Sequence, residues 1–465
     1  MAARSILTRS NKNKKIGGWF VGLVLGASLL LTFNNIQTAF KSYSDRQLIS
    51  PSENFASSKY QPIRLGSHEK ISQHDFSQID RRAKQLNYSG TSVTELANLL
   101  VQNAQTESEK ARIIYAWITQ HITYDVAAFL DAVNNDNYPD VTVETVLRDR
   151  TTICSGYSNL YHALAKAMNL ESAIVIGYAK GATPAAEKFQ DINHAWNSVR
   201  IDGGWYLLDT TWGAGSVRDN KFVPDYKPYY FATAPEEFIN NHYPQDKGWQ
   251  LLNKTYVRAE FDNLPSISSR FYNLGLELVS HKNYRIFTSN RLNIELKIPQ
   301  NVVAIAELKQ NGQSLSNNSV LSNRNGDRLI VSVAPPEAGT YDLTIYAKKK
   351  EDLKEYGEVI NYQIQASNST AQLAKTFGHF HQHQAALIEP LSADLKSDWS
   401  TYFNLIVPEA EDVQIINTAT GQWTPLTGYG SYFAGHVELQ PGTIAVVAKF
   451  PQSDRYWQLV EYQAK

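Results

Sequence analysis

The sequence predicts an α+β core followed by two β-sandwich modules, with an apolar segment ahead of them. Three observations carry that expectation. Apolar residues recur at spacings of three and four up to about residue 169, short β-branched runs take over from Ser172, and the C-terminal half uses the same strand motifs twice. At 465 residues the chain is too long for one ordinary core. Hydrophobic residues at 43% and charged residues at 19% describe a globular protein rather than a disordered one. Lys and Arg total 44 against 45 Asp and Glu, so no global field draws in nucleic acid, and none is expected as a partner.

At the N-terminus, Arg4, Arg9, Lys12, Lys14 and Lys15 precede the apolar run IGGWFVGLVLGASLLLTF, residues 16–33. This pattern reads as an export signal, long for a cleaved one and just sufficient to cross a bilayer. No small-x-small cleavage site stands out between Asn34 and Ser50, which favours an uncleaved anchor over a secreted form. The membrane is thus an expected partner through residues 1–34, and the rest of the chain is expected outside the cytoplasm. Residues 35–75, polar and without periodicity, read as a linker.

Ser92 with Glu95, and Thr106 with Glu109, have capping-box spacing ahead of apolar residues and predict two helix starts. A third helix follows from Tyr157, Leu160, Tyr161, Leu164, Ala165 and Met168, with its first turn near Cys154. Ser172–Ala179 predicts a strand, and His194–Thr211 two strands around Asp202-Gly203. A core is therefore expected over 76–254. Beyond it LNIELKIP parallels YFNLIVP, AGTYDLTIYAKKKED parallels PGTIAVVAKFPQSD, and EVINYQI parallels QLVEYQA. Two modules of the β-sandwich kind are expected, 255–370 and 371–465.

Cys154 is the sole cysteine, so it forms no disulfide within the chain. A small buried hydrophobe is the bland reading of such a residue. Its address says more: a helix start offers partial positive charge and backbone amides that favour a thiolate and an oxyanion. The base must come from elsewhere, and His194 is the candidate. If Asp202-Gly203 is a two-residue loop, Ile201 lies opposite Gly204 and Trp196 opposite Asp209, which puts His194 and Asp209 diagonally on one face. Asp209 then orients the imidazole and leaves the other ring nitrogen for Cys154. Trp196 falls on the same side, to wall the cleft and contact substrate or simply to pack in the core.

CSGYSNLYHALAKAMNL, IVIGYAKG and INHAWNSVRIDGGWYLLDTTWGAG together resemble the core of the transglutaminase-like superfamily, most of all its kyphoscoliosis-peptidase branch. ITYD at Ile122–Asp125 and YYFATAPEEFINNHYPQDKGWQLL at Tyr229–Leu252 fit the same branch. The resemblance implies a papain-like fold, Ig-like character for the β modules and a Cys154, His194, Asp209 triad. It spans crosslinking transferases, peptidases, amidases and members without catalysis. The expected function is cysteine-dependent acyl transfer on protein or peptide amides, hydrolysis ahead of transfer to an amine. The alternative is a catalytically silent, membrane-tethered interaction module. No cofactor or metal is expected: no calcium-ligand cluster stands out, and His379, His381 and His383, alternating as on a strand, lack a neighbouring carboxylate or thiol and read as a polar edge.

Overall fold

The computed structural model describes residues 71, 74–181, 192–316, 318–353 and 355–465. Helices come first: α1 (Ser77–Gln85), α2 (Val93–Val101), α3 (Glu107–His121), α4 (Val126–Asn135), α5 (Val143–Asp149) and α6 (Cys154–Ala167). Strands β1 (Thr123–Tyr124) and β2 (Thr151–Thr152) pair in parallel just ahead of α6. At the start of α3 the capping box closes both ways, Thr106 Oγ1 accepting the Glu109 amide at 3.1 Å and the Glu109 carboxylate accepting the Thr106 amide at 3.2 Å. Only half of one forms at α2. Ser92 caps the Glu95 amide, but the Glu95 carboxylate takes the Tyr88 hydroxyl instead.

The chain then lays down β3 (Ser172–Ala179), β4 (His194–Ile201), β5 (Gly204–Leu208), α7 (Thr210–Ala214), β6 (Gly215–Arg218), β7 (Lys221–Pro224), β8 (Phe231–Thr233), α8 (Pro235–Phe238) and β9 (His242–Pro244). Five of these strands form one antiparallel sheet in the order β8-β5-β4-β3-β9. Helix α6 lies on it, against β4 and β3, with α3 beside it. The three-and-four spacing explains the packing: Tyr157, Leu160, Tyr161, Leu164 and Ala165 are fully buried, as are Trp117 of α3 and Val199, Ile201 and Leu208 of the sheet. Each large side chain so placed contributes roughly 1.5–3 kcal/mol from apolar burial, which is what holds the first turn of α6 over the end of the sheet.

Beyond residue 260 the same construction occurs twice. In the first unit the larger sheet runs in the order 266–267, 357–366, 339–349, 302–310, 313–314, with 285–288 parallel to 357–366. In the second the order is 375–376, 456–464, 442–449, 412–417, 422–425, with 394–395 parallel to 456–464. The facing sheets correspond likewise, 277–278, 292–297, 328–333, 320–325 against 386–389, 400–406, 432–438, 427–429. Even a register shift recurs, at Ile345/Tyr346 and at Val446/Val447. Each unit has an apolar core, the second taking in Leu321 and Ala334 of the first, and the paired sequence motifs occupy equivalent strands. The α+β core followed by a β-rich region expected from the sequence is the observed arrangement.

Two expectations need correction. Membrane anchoring, and the placement of the chain outside the cytoplasm that rested on it, is not supported. Among the described residues no helix is long and apolar enough to cross a membrane. The longest, α3, has 15 residues, about 22 Å of rise against a hydrocarbon core of roughly 30 Å. The run at 16–33 and nearly all of the expected linker lie outside the described residues. The second correction concerns His379, His381 and His383. His379 and His381 sit on a short helix, Gly378–Gln382, with His383 as its C-cap, equivalent to Ser269–Asn273 in the first unit, rather than on a strand. His381 is tied to Thr376, His383 to Glu409, and His379 packs its ring on Trp457.

Candidate active site

The hairpin β4–β5 turns through Asp202 and Gly203, at φ +50° and +83°, the two left-handed positions of a type I′ turn. Gly supplies the second without strain. The register that follows is the one a two-residue loop dictates, from Ile201 opposite Gly204 to Asn197 opposite Leu208. Pairing stops there. Asp209 leaves the strand to cap α7, its Oδ1 accepting the backbone amides of Thr211 at 2.8 Å and Trp212 at 3.0 Å.

The other carboxylate oxygen faces the sheet. His194 Nε2 donates to Asp209 Oδ2 at 2.7 Å, and the carboxylate is wholly removed from solvent. A second imidazole reaches the same atom: His242 Nε2 donates to Oδ2 at 3.0 Å. Four donors thus surround one buried carboxylate, enough to keep it ionised. Burial alone would favour the neutral acid, yet the charge and hydrogen bonds of His194 and His242 hold Asp209 well below the usual carboxylate range.

The two histidines respond in opposite ways. Burial opposes the charged form of His194, but the Asp209 charge, the hydrogen bond to it and the influence of the Cys154 thiol together hold the imidazole well above its ordinary value. For His242 burial prevails over the pull of Asp209, so its pKa is lowered and the ring stays neutral. With Nε2 of His194 committed to Asp209, Nδ1 is the nitrogen left for sulfur.

Cys154 is the first residue of α6, after Ile153 in extended conformation, and is 3% exposed. Its sulfur stands outside the close trio formed by His194, Asp209 and His242, and of the three it is His194 whose charge it influences. Tyr124 lies beside it. Burial, and then the neighbouring thiol, push that phenol well above its ordinary value.

Trp196 shares the His194 side of β4, with ring centroids 6.0 Å apart. At 1% exposed it packs with Val175, Leu207 and Phe238 and forms a floor behind the imidazoles rather than an open wall. Trp212 takes the more accessible position, its ring 5.7 Å from His194 and 4.5 Å from His242. Trp205 packs edge-on against Trp249 instead.

His242 is the residue that sequence reasoning missed. Strand β9 has three residues, too few to show a period, and its pairing of His242 with Ala179 of β3 depends on the sheet order. The three side chains His194, Asp209 and His242 bring ligand-type atoms within 4.8 Å of one another. An ion held by all three would have to replace both N–H···O bonds, so the geometry as it stands is one for protons.

The comparisons agree with this reading of the fold. A model of the transglutaminase-like superfamily matches residues 94–210, and one of the KY-like, immunoglobulin-like domain matches 258–377. Kyphoscoliosis peptidase of Homo sapiens is 33% identical over 299 residues, 63% of this chain and 43% of that protein. The Mus musculus protein of the same name is 32% identical over the same shares. Hillarin of Drosophila melanogaster is 32% identical over 198 residues, 39% of this chain and 24% of that protein. The match thus spans less than half the length of these relatives. A solved structure titled "Crystal structure of a TGase" aligns over 35% of this chain and 39% of its own at 20% identity and a TM-score of 0.21, too loosely to bear on the chemistry. Residues 94–210 are thus those of a transglutaminase-like core, and the chain is similar to the kyphoscoliosis-peptidase branch of that superfamily.

Proposed function

We propose that this chain catalyses cysteine-dependent acyl transfer on protein or peptide amides, with Cys154 as nucleophile, His194 as base and Asp209 as the group that orients the imidazole. The observation that carries the reading is the 2.7 Å bond from His194 Nε2 to Asp209 Oδ2, which reserves Nδ1 for the thiol. Nδ1 of His194 holds the proton given up by the thiol, and sulfur attacks the amide carbonyl carbon. The C–N bond then breaks as the same proton moves to the departing amine, leaving a thioester. Water, giving its proton to Nδ1, attacks the thioester and releases a carboxylic acid, and the sulfur takes the proton back. An amine in place of water would yield a new amide. Hydrolysis is favoured. The amides at the start of α6 supply positive potential where negative charge develops.

With this reading goes a division of labour. Residues 76–254 would form the catalytic unit, and the β modules, 255–370 and 371–465, would position a protein or peptide substrate. Trp196 would shield the imidazole from beneath, and Trp212 would flank the approach.

The test is chemical. Iodoacetamide should label Cys154 at neutral pH, and His194→Ala should slow that labelling by on the order of 10²-fold or more. Mass spectrometry of a trapped acyl-enzyme would give the class of the acyl donor. Equal labelling rates would remove the pairing.

A second reading, a protein-binding module without catalysis, draws on one observation. Cys154 and His194 are only 3% and 5% exposed, so a substrate must displace side chains to reach the sulfur. Cys154→Ser separates the two: it abolishes acyl transfer, whereas a binding role survives it.

A further inference from the structure

We propose that His242 is a positioning residue: its Nε2–H shares Asp209 Oδ2 with His194, and so sets how tightly the carboxylate grips the imidazole that serves Cys154. The consequence for catalysis rests on the acyl-transfer reading; the consequence for His194 does not.

The surroundings of His242 leave it no freedom. Its ring stacks on Phe238 at a centroid distance of 4.0 Å and an angle of 19°, meets Trp196 edge-on at 5.2 Å and lies 4.5 Å from Trp212. It is 1% exposed. Strand β9 brings it there by pairing beside the same stretch of β3, Gly177–Ala179, whose Gly177 stands opposite His194. An aromatic cage of this kind favours the neutral ring, and a neutral imidazole donating from Nε2 delivers one N–H to the carboxylate without adding charge.

Asp209 Oδ1 is already occupied by two backbone amides, so any adjustment of the hold on His194 must act through Oδ2. Two N–H donors there divide the basicity of one oxygen. Remove the His242 donor and the carboxylate charge concentrates on His194, whose proton should become harder to lose. The charged or titratable groups that act on His194 are Asp209, Cys154 and, across a ring separation of 5.6 Å, His242 itself. Around Asp209 the phenols of Tyr115, Tyr124, Tyr157 and Tyr230 all stay protonated by burial, and Lys227 acts only through its charge. None of these donates to Oδ2 among the described residues, which leaves His242 as the partner that can be varied.

Two substitutions separate the donor from the packing. His242→Phe keeps the stack on Phe238 and loses the N–H, whereas His242→Gln keeps an N–H and loses the ring. Imidazole ¹⁵N shifts of the full chain, followed against pH, should show the His194 midpoint raised by at least about half a unit in His242→Phe and nearly unmoved in His242→Gln. The pH profile of Cys154 alkylation should move in parallel. An unmoved midpoint in His242→Phe overturns the proposal. So does a wild-type spectrum in which His242 is charged at neutral pH or carries its proton on Nδ1, a measurement that needs no variant to fold. If the midpoint moves but Cys154 labels no faster than a free thiol, the positioning role stands and acyl transfer fails. Rapid labelling with an unmoved midpoint leaves acyl transfer standing and removes the positioning role.

Discussion

His194 Nε2 stands 2.7 Å from Asp209 Oδ2, with the carboxylate entirely enclosed. The two residues are fifteen positions apart, and the type I′ turn at Asp202-Gly203 brings them together by fixing the register of β4 on β5. In such a setting the carboxylate cannot be replaced by a neutral group of the same shape without a change of tautomer. Asp209→Asn should keep the cap on Thr211 and Trp212 through its carbonyl oxygen, but point an NH₂ at two imidazole N–H groups. His194 would then shift its proton to Nδ1, the nitrogen needed by sulfur. Cys154 alkylation at neutral pH is expected to fall by on the order of 10²–10⁴-fold; a rate within twofold of wild type would count against the assigned orientation.

The same pair makes stability depend on pH in a direction that can be stated. His194 is raised from 6.5 to about 10 in the folded chain, so its contribution is complete below pH 6.5 and lost as pH rises through the folded value. His242 is lowered from 6.5, so below that pH the unfolded chain binds a proton that the folded chain refuses, and stability falls. Asp209, held below 3.8, adds a further loss in stronger acid. Urea midpoints should therefore peak near pH 6.5. His194→Gln should flatten the alkaline limb, and His242→Gln the limb just below pH 6.5. Limbs that are the same in all three proteins would refute the assignment.

Some of this site was legible in the sequence and some was not, for physical reasons. The helix start at Cys154 could be read because Tyr157, Leu160, Tyr161 and Leu164 repeat at the helical period. The His194–Asp209 relationship followed from turn chemistry alone, since a two-residue loop fixes parity. His242 was hidden because a three-residue strand carries no period and its neighbour is chosen by the order of the whole sheet. His379, His381 and His383 misled because alternation mimics a strand, whereas on the helix and its C-cap His379 and His383 stack at a centroid distance of 5.8 Å and His381 points elsewhere, toward Thr376. The burial of Trp196 was one of two outcomes its parity allowed, since parity gives the face of a strand and says nothing of what covers it.

Outside the site, an ion pair with a buried guanidinium ties the helical layer. Arg112 of α3 grips Asp80 of α1 with two bonds of 2.8 Å each and reaches the Pro228 carbonyl at 3.3 Å. Its guanidinium also lies 5.0 Å from the Phe231 ring centroid. Removing only the carboxylate leaves a buried cation with nothing to neutralise it. Asp80→Ala should cost roughly 3–5 kcal/mol, measured by urea unfolding, and more than Arg112→Met, which removes the charge and keeps the volume. The reverse order would show that the pair is not what holds α1.

Gly177 connects the sheet to the chemistry. It stands opposite His194 on one side and Pro244 on the other. A Cβ placed there would come within 2.2 Å of the Tyr243 carbonyl oxygen and 2.7 Å of the Trp196 ring. The first of these is backbone and cannot swing aside. Gly177→Ala should therefore push β9 away from β3, at a cost of about 1–3 kcal/mol, and carry His242 with it. Because β4 holds His194 and the cap of α7 holds Asp209, that pair should persist while the His242–Asp209 bond lengthens. The expected signature is a folded protein of reduced thermal stability whose His194 titrates higher, as in His242→Phe. A variant that loses stability with no change in the His194 midpoint would mean that β9 bends elsewhere to absorb the methyl group, and would break the link between strand spacing and the grip of Asp209.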